Sequence, residues 1–265
     1  PRFDAVMIDE GQDLEEHVFG FLCRLMTPGG ELFVVRDDNQ NIFDREQGWY
    51  RGPTTGFKGK WAEINEIFRM SPDITAMISE FAETELGIDQ LRPSSDRDQI
   101  EAEFRDTHLV AWKNLSETQV DDFLVRAVRR IAERARSHDP VHPSDVSVVT
   151  MSDEHARRAI HTLSGAGFHP VHYYSADGVP DRDKKKFFFK GHGQIKVATI
   201  HNYRGFEMSF VVVVVPRKQA PRDDRARMIY AAMTRAIHGL VVINCDERFD
   251  DYAKKWAYGN EDEVE

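Results

Sequence analysis

A chain of 265 residues has room for one large domain, or one domain and part of another. Its 41% hydrophobic and 30% charged residues are those of a globular protein, with no apolar run near the ~18–20 residues that span a bilayer. The formal net charge of −10 argues against nucleic-acid binding over the whole surface and leaves room only for a local basic track.

The N-terminal PRFDAVMIDE lacks the basic and apolar parts of a secretory signal and starts without Met, so the chain is expected to be cut from a longer protein. Phe3–Ile8 reads as a buried strand, and a helix follows over about 14–26. Gly29–Gly30 predicts a turn before a second apolar strand, Leu32–Val35. Residues 46–60, rich in Gly, Pro and Thr, read as a hinge. Glu63–Phe68 is strand-like, and Ser71-Pro72 opens a helix, proline being suited to a first turn. Beyond the polar stretch 92–98, Leu109–Trp112 is a strand and 118–136 a long amphipathic helix. Val146–Thr150, a helix over 153–166 and Pro170–Tyr174 make a β-α-β pattern. Lys184, Lys185, Lys186 and Lys190 stand in a polar loop, and Arg222, Arg225 and Arg227 form a second basic run. The strands Ile195–Ile200 and Phe210–Val215, a helix over 223–237 and the strand Leu240–Asn244 complete the chain. Apolar strands alternating with helices predict an α/β fold with a mostly parallel sheet. Two cysteines, Cys23 and Cys245, without C-x-x-C spacing, argue against a zinc or disulfide framework and for reduced thiols in the cytoplasm.

Five runs carry candidate chemistry. Asp9-Glu10-Gly11-Gln12-Asp13 follows a strand directly, where carboxylates meet ligands in α/β sheets. One acid there can hold hydrated Mg²⁺ while its neighbour polarises water. Gln40 ends a second post-strand run, 34–40, and can orient a water at a γ-phosphate. In Phe68-Arg69-Met70-Ser71-Pro72 the arginine can grip phosphate and the phenylalanine can stack on a base. In the fourth run, 199–207, Gly205 permits a tight turn and polar residues surround it. In the fifth, 229–236, Tyr230, Met233 and Ala236 form a helical apolar stripe from which Arg235 departs, a candidate arginine finger. Taken singly, a polar turn or a solvated helix face explains most of these runs.

Taken in order, they resemble motifs II to VI of the UvrD/Rep-type superfamily 1 helicases, from Phe3 to about Asn244. The resemblance implies a RecA-like P-loop NTPase fold: 1–55 as the tail of the first motor domain and 56–265 as the second, its sheet flanked by helices. It implies that ATP and Mg²⁺ bind at the interdomain cleft and that single-stranded DNA, or RNA, is the track. Asp9 would then hold Mg²⁺, Glu10 act as base, Gln40 sense the γ-phosphate, and Arg69 and Arg235 clamp it. Phe68 would stack on adenine and Glu207 contact the ribose, with Arg204 and Gly205 beside the nucleotide. Phe43, Thr199 and His201 would lie near the nucleic acid, and Trp49, close to motif III, joins them as a candidate. Several positions depart from the family pattern: Arg36 where motif III opens with glycine, Arg45 for its second aromatic, Ile67 for asparagine, Arg204 for lysine and Phe206 for leucine.

No G-x-x-x-x-G-K-[ST] occurs in the chain; in family order that loop precedes motif II. The expected partner is therefore an N-terminal motor domain of the same protein, without which the fragment would not turn over ATP. Where large relatives insert a helical subdomain, this chain has only the short stretch 175–194, whose lysine loop is expected to be mobile. The rival classes are a non-catalytic RecA-like binding module and the helicase part of a nuclease fusion.

Overall fold

The computed structural model describes residues 2–37, 62, 66–67, 70–88, 92–93, 109–134, 145–174, 194–203, 205–217 and 221–257. They fall into two units, Pro1–Ile64 and Asn65–Glu265. In the first, β1 (Phe3–Ile8) lies parallel to β2 (Met26–Val34), with α1 (Glu16–Arg24) between them in sequence. Alternation decides which strand face is covered. Val6, Ile8, Leu32 and Val34 turn to one side and pack with Leu14, Phe19, Leu22 and Cys23. Phe3, Met7 and Phe33 turn to the other and are exposed.

The glycine pair expected to form a turn ahead of the second strand lies inside β2 instead. The register slips there, Phe3 pairing with Met26 but Ala5 with Glu31. Gly29, at φ 86°, supplies the left-handed backbone that this bulge needs.

In the second unit, β3 (Glu66–Ile67) pairs in parallel with β4 (Arg92–Pro93), and α2 (Pro72–Leu86) runs between them in sequence. Then come β5 (Leu109–Asn114), α3 (Val120–Arg134), β6 (Val146–Thr150), α4 (Asp153–Gly165), β7 (Lys196–Thr199) and α5 (Ile200–Tyr203). The chain continues through β8 (Met208–Val215), α6 (Arg222–Met233), β9 (Ala236–Asn244), a 3-10 turn at Glu247–Phe249 and α7 (Tyr252–Lys255). The strands β5-β9-β8-β6-β7 form one sheet in that order, every neighbouring pair parallel. Such a sheet is covered on both faces, which is why Val211 to Val215 can be an unbroken apolar run and still be buried throughout. Helices flank it: α2 packs with α6, and α3 packs with α4. The α3–α4 contact is clipped by Arg158, whose Nε and Nη2 donate to the Asp121 carboxylate at 2.9–3.0 Å while Thr162 Oγ1 donates to the same carboxylate.

Ser71 caps α2, its Oγ accepting from Ile74 N at 3.4 Å, and Pro72 opens the helix as its sequence predicts. Two further elements differ from expectation. Pro170–Tyr174 forms no continuous strand but isolated bridges, that of Val171 with Lys196 among them; Pro170 has no N–H to give a ladder, and both tyrosine hydroxyls turn into a polar network. The helix expected over 223–237 is α6 and ends at Met233, because Arg235 N donates to Ala232 O and closes a tight final turn before β9 begins. The cysteines are free, and burial pushes the Cys245 thiol up to about 12.

Candidate functional site

The first cluster lies at the carboxyl end of β1. Asp9 is exposed, with one carboxylate oxygen accepting from Glu10 N at 2.9 Å. That leaves an accessible oxygen donor of the kind a hydrated Mg²⁺ takes, so the residue fits the ion that the resemblance implies. Glu10 has φ 53° and ψ 42°, the only non-glycine left-handed residue among those described. This conformation costs an L-residue about 1–2 kcal/mol, and it is held by the neighbours. Gly11 N donates to Val35 O at 2.9 Å, and a Cβ at Gly11 would lie 2.8 Å from Val34 Cγ1, so only glycine allows this approach. Gln12, 1% exposed, donates from Nε2 to Glu10 Oε2, and its Oε1 accepts from Asp37 N at 2.9 Å.

The second cluster lies at the amino end of the five-stranded sheet. Glu207 immediately precedes β8 and Arg235 immediately precedes β9; Met208 N donates to Arg235 O at 3.1 Å. Gly205, at φ 76° with open space where a Cβ would stand, supplies the left-handed turn ahead of Glu207. Arg235 is 3% exposed, its Nε donating to Ala231 O at 3.1 Å and its Nη2 to Thr234 Oγ1 at 3.4 Å. The guanidinium thus rests on the carboxyl end of its own helix, where the helix dipole favours a cation. Ser71 N donates to Ile237 O at 2.9 Å, bringing the start of α2 to the same strand end.

The third cluster is at the opposite edge. Thr199 ends β7 and pairs with Thr150, which pairs in turn with Val214. That level is six residues beyond Met208 on β8, about 20 Å at ~3.3 Å per residue. Thr199 Oγ1 meets Tyr173 Oη at 3.1 Å, Asn202 Nδ2 donates to both oxygens, and Tyr174 Oη donates to Asp153 Oδ1 at 2.7 Å. Burial raises the Tyr174 phenol above its ordinary value, with its hydrogen bonds to Tyr173 and Asp153 adding to the shift. His201 is half-buried on α5. Tyr203 on the same short helix is fully buried, its hydroxyl donating to Ser147 Oγ at 2.7 Å in the middle of the sheet. The structure therefore groups Asp9 with Glu10, Glu207 with Arg235, and Thr199 with His201.

Phe43, Gln40, Trp49, Phe68, Arg69, Arg204 and the lysine loop 184–190 lie outside the described residues. The second basic run is not a surface track at Arg225. That side chain is 2% exposed, donates from Nη2 to Pro216 O and stands 3.9 Å from Asp246. Sequence reasoning gave no role to Gln12, Tyr173, Tyr174, Asp153 or Asn202. The signal for Gln12 was its place between two acids in a loop that follows an apolar strand.

Comparison with known proteins points the same way at both ends. Residues 1–49 match the UvrD/REP helicase N-terminal domain, and residues 195–243 match the UvrD-like helicase C-terminal domain. No curated protein matches the chain. Among solved structures, it is similar to the C-terminal domain of a possible DNA helicase from Lactobacillus plantarum WCFS1. The two share 13% identity over 67% of this chain and 87% of that one, with a TM-score of 0.44.

Proposed function

We propose that this chain, whose N- and C-terminal matches to UvrD-type helicase domains fall in family order, works within an ATP-dependent helicase or translocase on single-stranded nucleic acid, DNA in the first instance. One geometric fact carries the assignment: Asp9 and Glu10 stand side by side at the carboxyl end of β1, and Glu10 is held in a strained conformation by built contacts. Backbone strain of this kind persists where function requires it.

Asp9 would hold hydrated Mg²⁺, and the bound ion neutralises charge on the phosphates. Glu10 accepts the proton of the attacking water at its carboxylate as the water oxygen bonds to the γ-phosphorus and the bond to the bridging β,γ-oxygen breaks. Arg235, with Arg69, donates to the γ-phosphate oxygens as charge builds, for which its guanidinium must leave Ala231 O. Gln40 senses the γ-phosphate. Glu207 accepts from a ribose hydroxyl, Phe68 stacks on adenine, and Arg204 and Gly205 line the nucleotide. Thr199 and His201, at the other edge of the sheet, contact the strand together with Phe43 and Trp49.

Residues 1–55 serve as the last part of a first RecA-like motor domain and 56–265 as the second. The 265 residues hold no phosphate-binding loop, so turnover is assigned to the protein in which this chain is joined to one, in the cytoplasm. Among the described residues no helix is long and apolar enough to cross a membrane. In the complete protein, Glu10→Gln is expected to lower DNA-stimulated ATP hydrolysis by about 10²–10⁴-fold while an ATP analogue still binds. Turnover at the unsubstituted rate would overturn the assignment.

A further inference from the structure

We propose that Gln12 is a positioning residue for the candidate base: its side-chain amide fixes one edge of the Glu10 carboxylate and ties it to the backbone at Asp37. This rests on the ATPase reading of Glu10 and adds a residue to which neither the motif resemblance nor the chemistry of the acids gives a role. Gln12 is polar yet 1% exposed, and burying an amide costs free energy unless both of its ends are paired. Both are. Nε2 donates to Glu10 Oε2, and Oε1 accepts from Asp37 N at 2.9 Å.

The partners also fix the orientation of the amide. A carboxylate oxygen can only accept and a backbone N–H can only donate, so the flipped amide would lose both bonds. The left-handed turn at Glu10 supplies the geometry, since it carries the chain from β1 into the 3-10 turn Gly11–Asp13 and brings residue 12 back under residue 10. In sequence, Asp37 belongs to the same post-strand run as Gln40.

The test uses the complete protein, DNA-stimulated ATP hydrolysis, and three variants. Gln12→Leu removes both bonds. Gln12→Glu keeps an acceptor for Asp37 N and sets a second carboxylate against Glu10. Glu10→Gln serves as the reference for the base itself. The expected result is a fall in kcat of about 10- to 100-fold for Gln12→Leu, the scale of a catalytic group displaced by ~1 Å, with KM for ATP within about twofold. Gln12→Glu is expected to fall at least as far, and amide exchange at Asp37 is expected to speed up in Gln12→Leu but not in Gln12→Glu. If Gln12→Leu does not fold, Gln12→Glu carries the same kcat and KM measurement. Wild-type kcat in a folded Gln12 variant, with Glu10→Gln inactive, would overturn the positioning role. So would a loss expressed in KM alone. An active Glu10→Gln would instead overturn the ATPase reading on which the proposal rests.

Discussion

The two units handle their charged groups in opposite ways. In the second, ionic groups hold the fold through paired contacts. Arg225 and Asp246 are both nearly fully buried, Arg248 donates to Asp246 Oδ1 and Oδ2 at 2.8 and 2.6 Å, and Arg158 grips Asp121 between two helices at a partly exposed site. In the first, a three-residue core of Ile8, Phe19 and Val34 supports an exposed aspartate and a glutamate in a left-handed turn. The contrast separates scaffold from chemistry. Charges that hold the fold are paired with counter-charges of their own unit, whereas the carboxylates with a proposed reaction to perform stand on a strained backbone.

Removing a scaffold charge should have the largest effect on stability. Asp246→Ala leaves the Arg225 guanidinium buried without its counter-charge, and a loss of about 3–5 kcal/mol is expected in urea unfolding of the second unit. A loss near zero would mean that the pair is not part of the scaffold. Burial works to raise the Asp246 carboxyl, but the hydrogen bonds and charge of Arg248, then the charge of Arg225, outweigh it and hold it below the ordinary aspartate value. Its contribution is therefore complete above the unfolded value and is lost as pH falls through the lowered folded one.

In the first unit the effect should be much smaller. Glu10→Gly relieves about 1–2 kcal/mol of left-handed strain but leaves the buried Gln12 amide without its acceptor, at about 1–3 kcal/mol, so the turn is expected to lose no more than about 1 kcal/mol. Slightly faster exchange of the Gly11 amide would report it, together with loss of ATP turnover in the complete protein. A stabilised turn would mean that the backbone cost of Glu10 outweighs the bond from Gln12.

The smallest effect concerns His155. Burial lowers its imidazole, with Glu117 and Glu154 opposing the shift and Arg225 and Arg158 reinforcing it. Its Nδ1 meets Ser152 Oγ at 2.7 Å. The folded state then binds fewer protons than the unfolded one, so stability falls as pH drops below ~6.5 toward the lowered value. His155→Gln should flatten that slope in unfolding midpoints followed from about pH 7 to about pH 5. An unchanged slope would assign it to other groups.

Much of the scaffold was legible from the sequence because parallel strands buried on both faces are written as plain apolar runs, and Ser71-Pro72 is a helix start in any context. The rest depended on partners distant in sequence. Gln12 and Arg225 look like surface residues until Asp37, Pro216 and Asp246 are in place beside them. Gly29–Gly30 signals a turn, yet β1 pairs with the residues on both sides and makes it a bulge. Tyr173 and Tyr174 resemble strand residues, and only the Thr199 and Asp153 oxygens explain where their hydroxyls go. The grouping of Asp9 with Glu10 follows from adjacency, whereas the 20 Å or so separating Thr199 from Glu207 follows from sheet register, which eight residues of sequence conceal.

The strand order carries a consequence for synthesis. β9 is translated after both β5 and β8, and it lies between them. Until residue 244 has left the ribosome, β5 lacks the strand it pairs with among the described residues, and the apolar edge of β8 faces the nascent chain's surroundings. The sheet therefore cannot grow outward in the order in which it is made. It closes by insertion, and the long wait between β5 and its neighbour is when this unit is most in need of protection from aggregation.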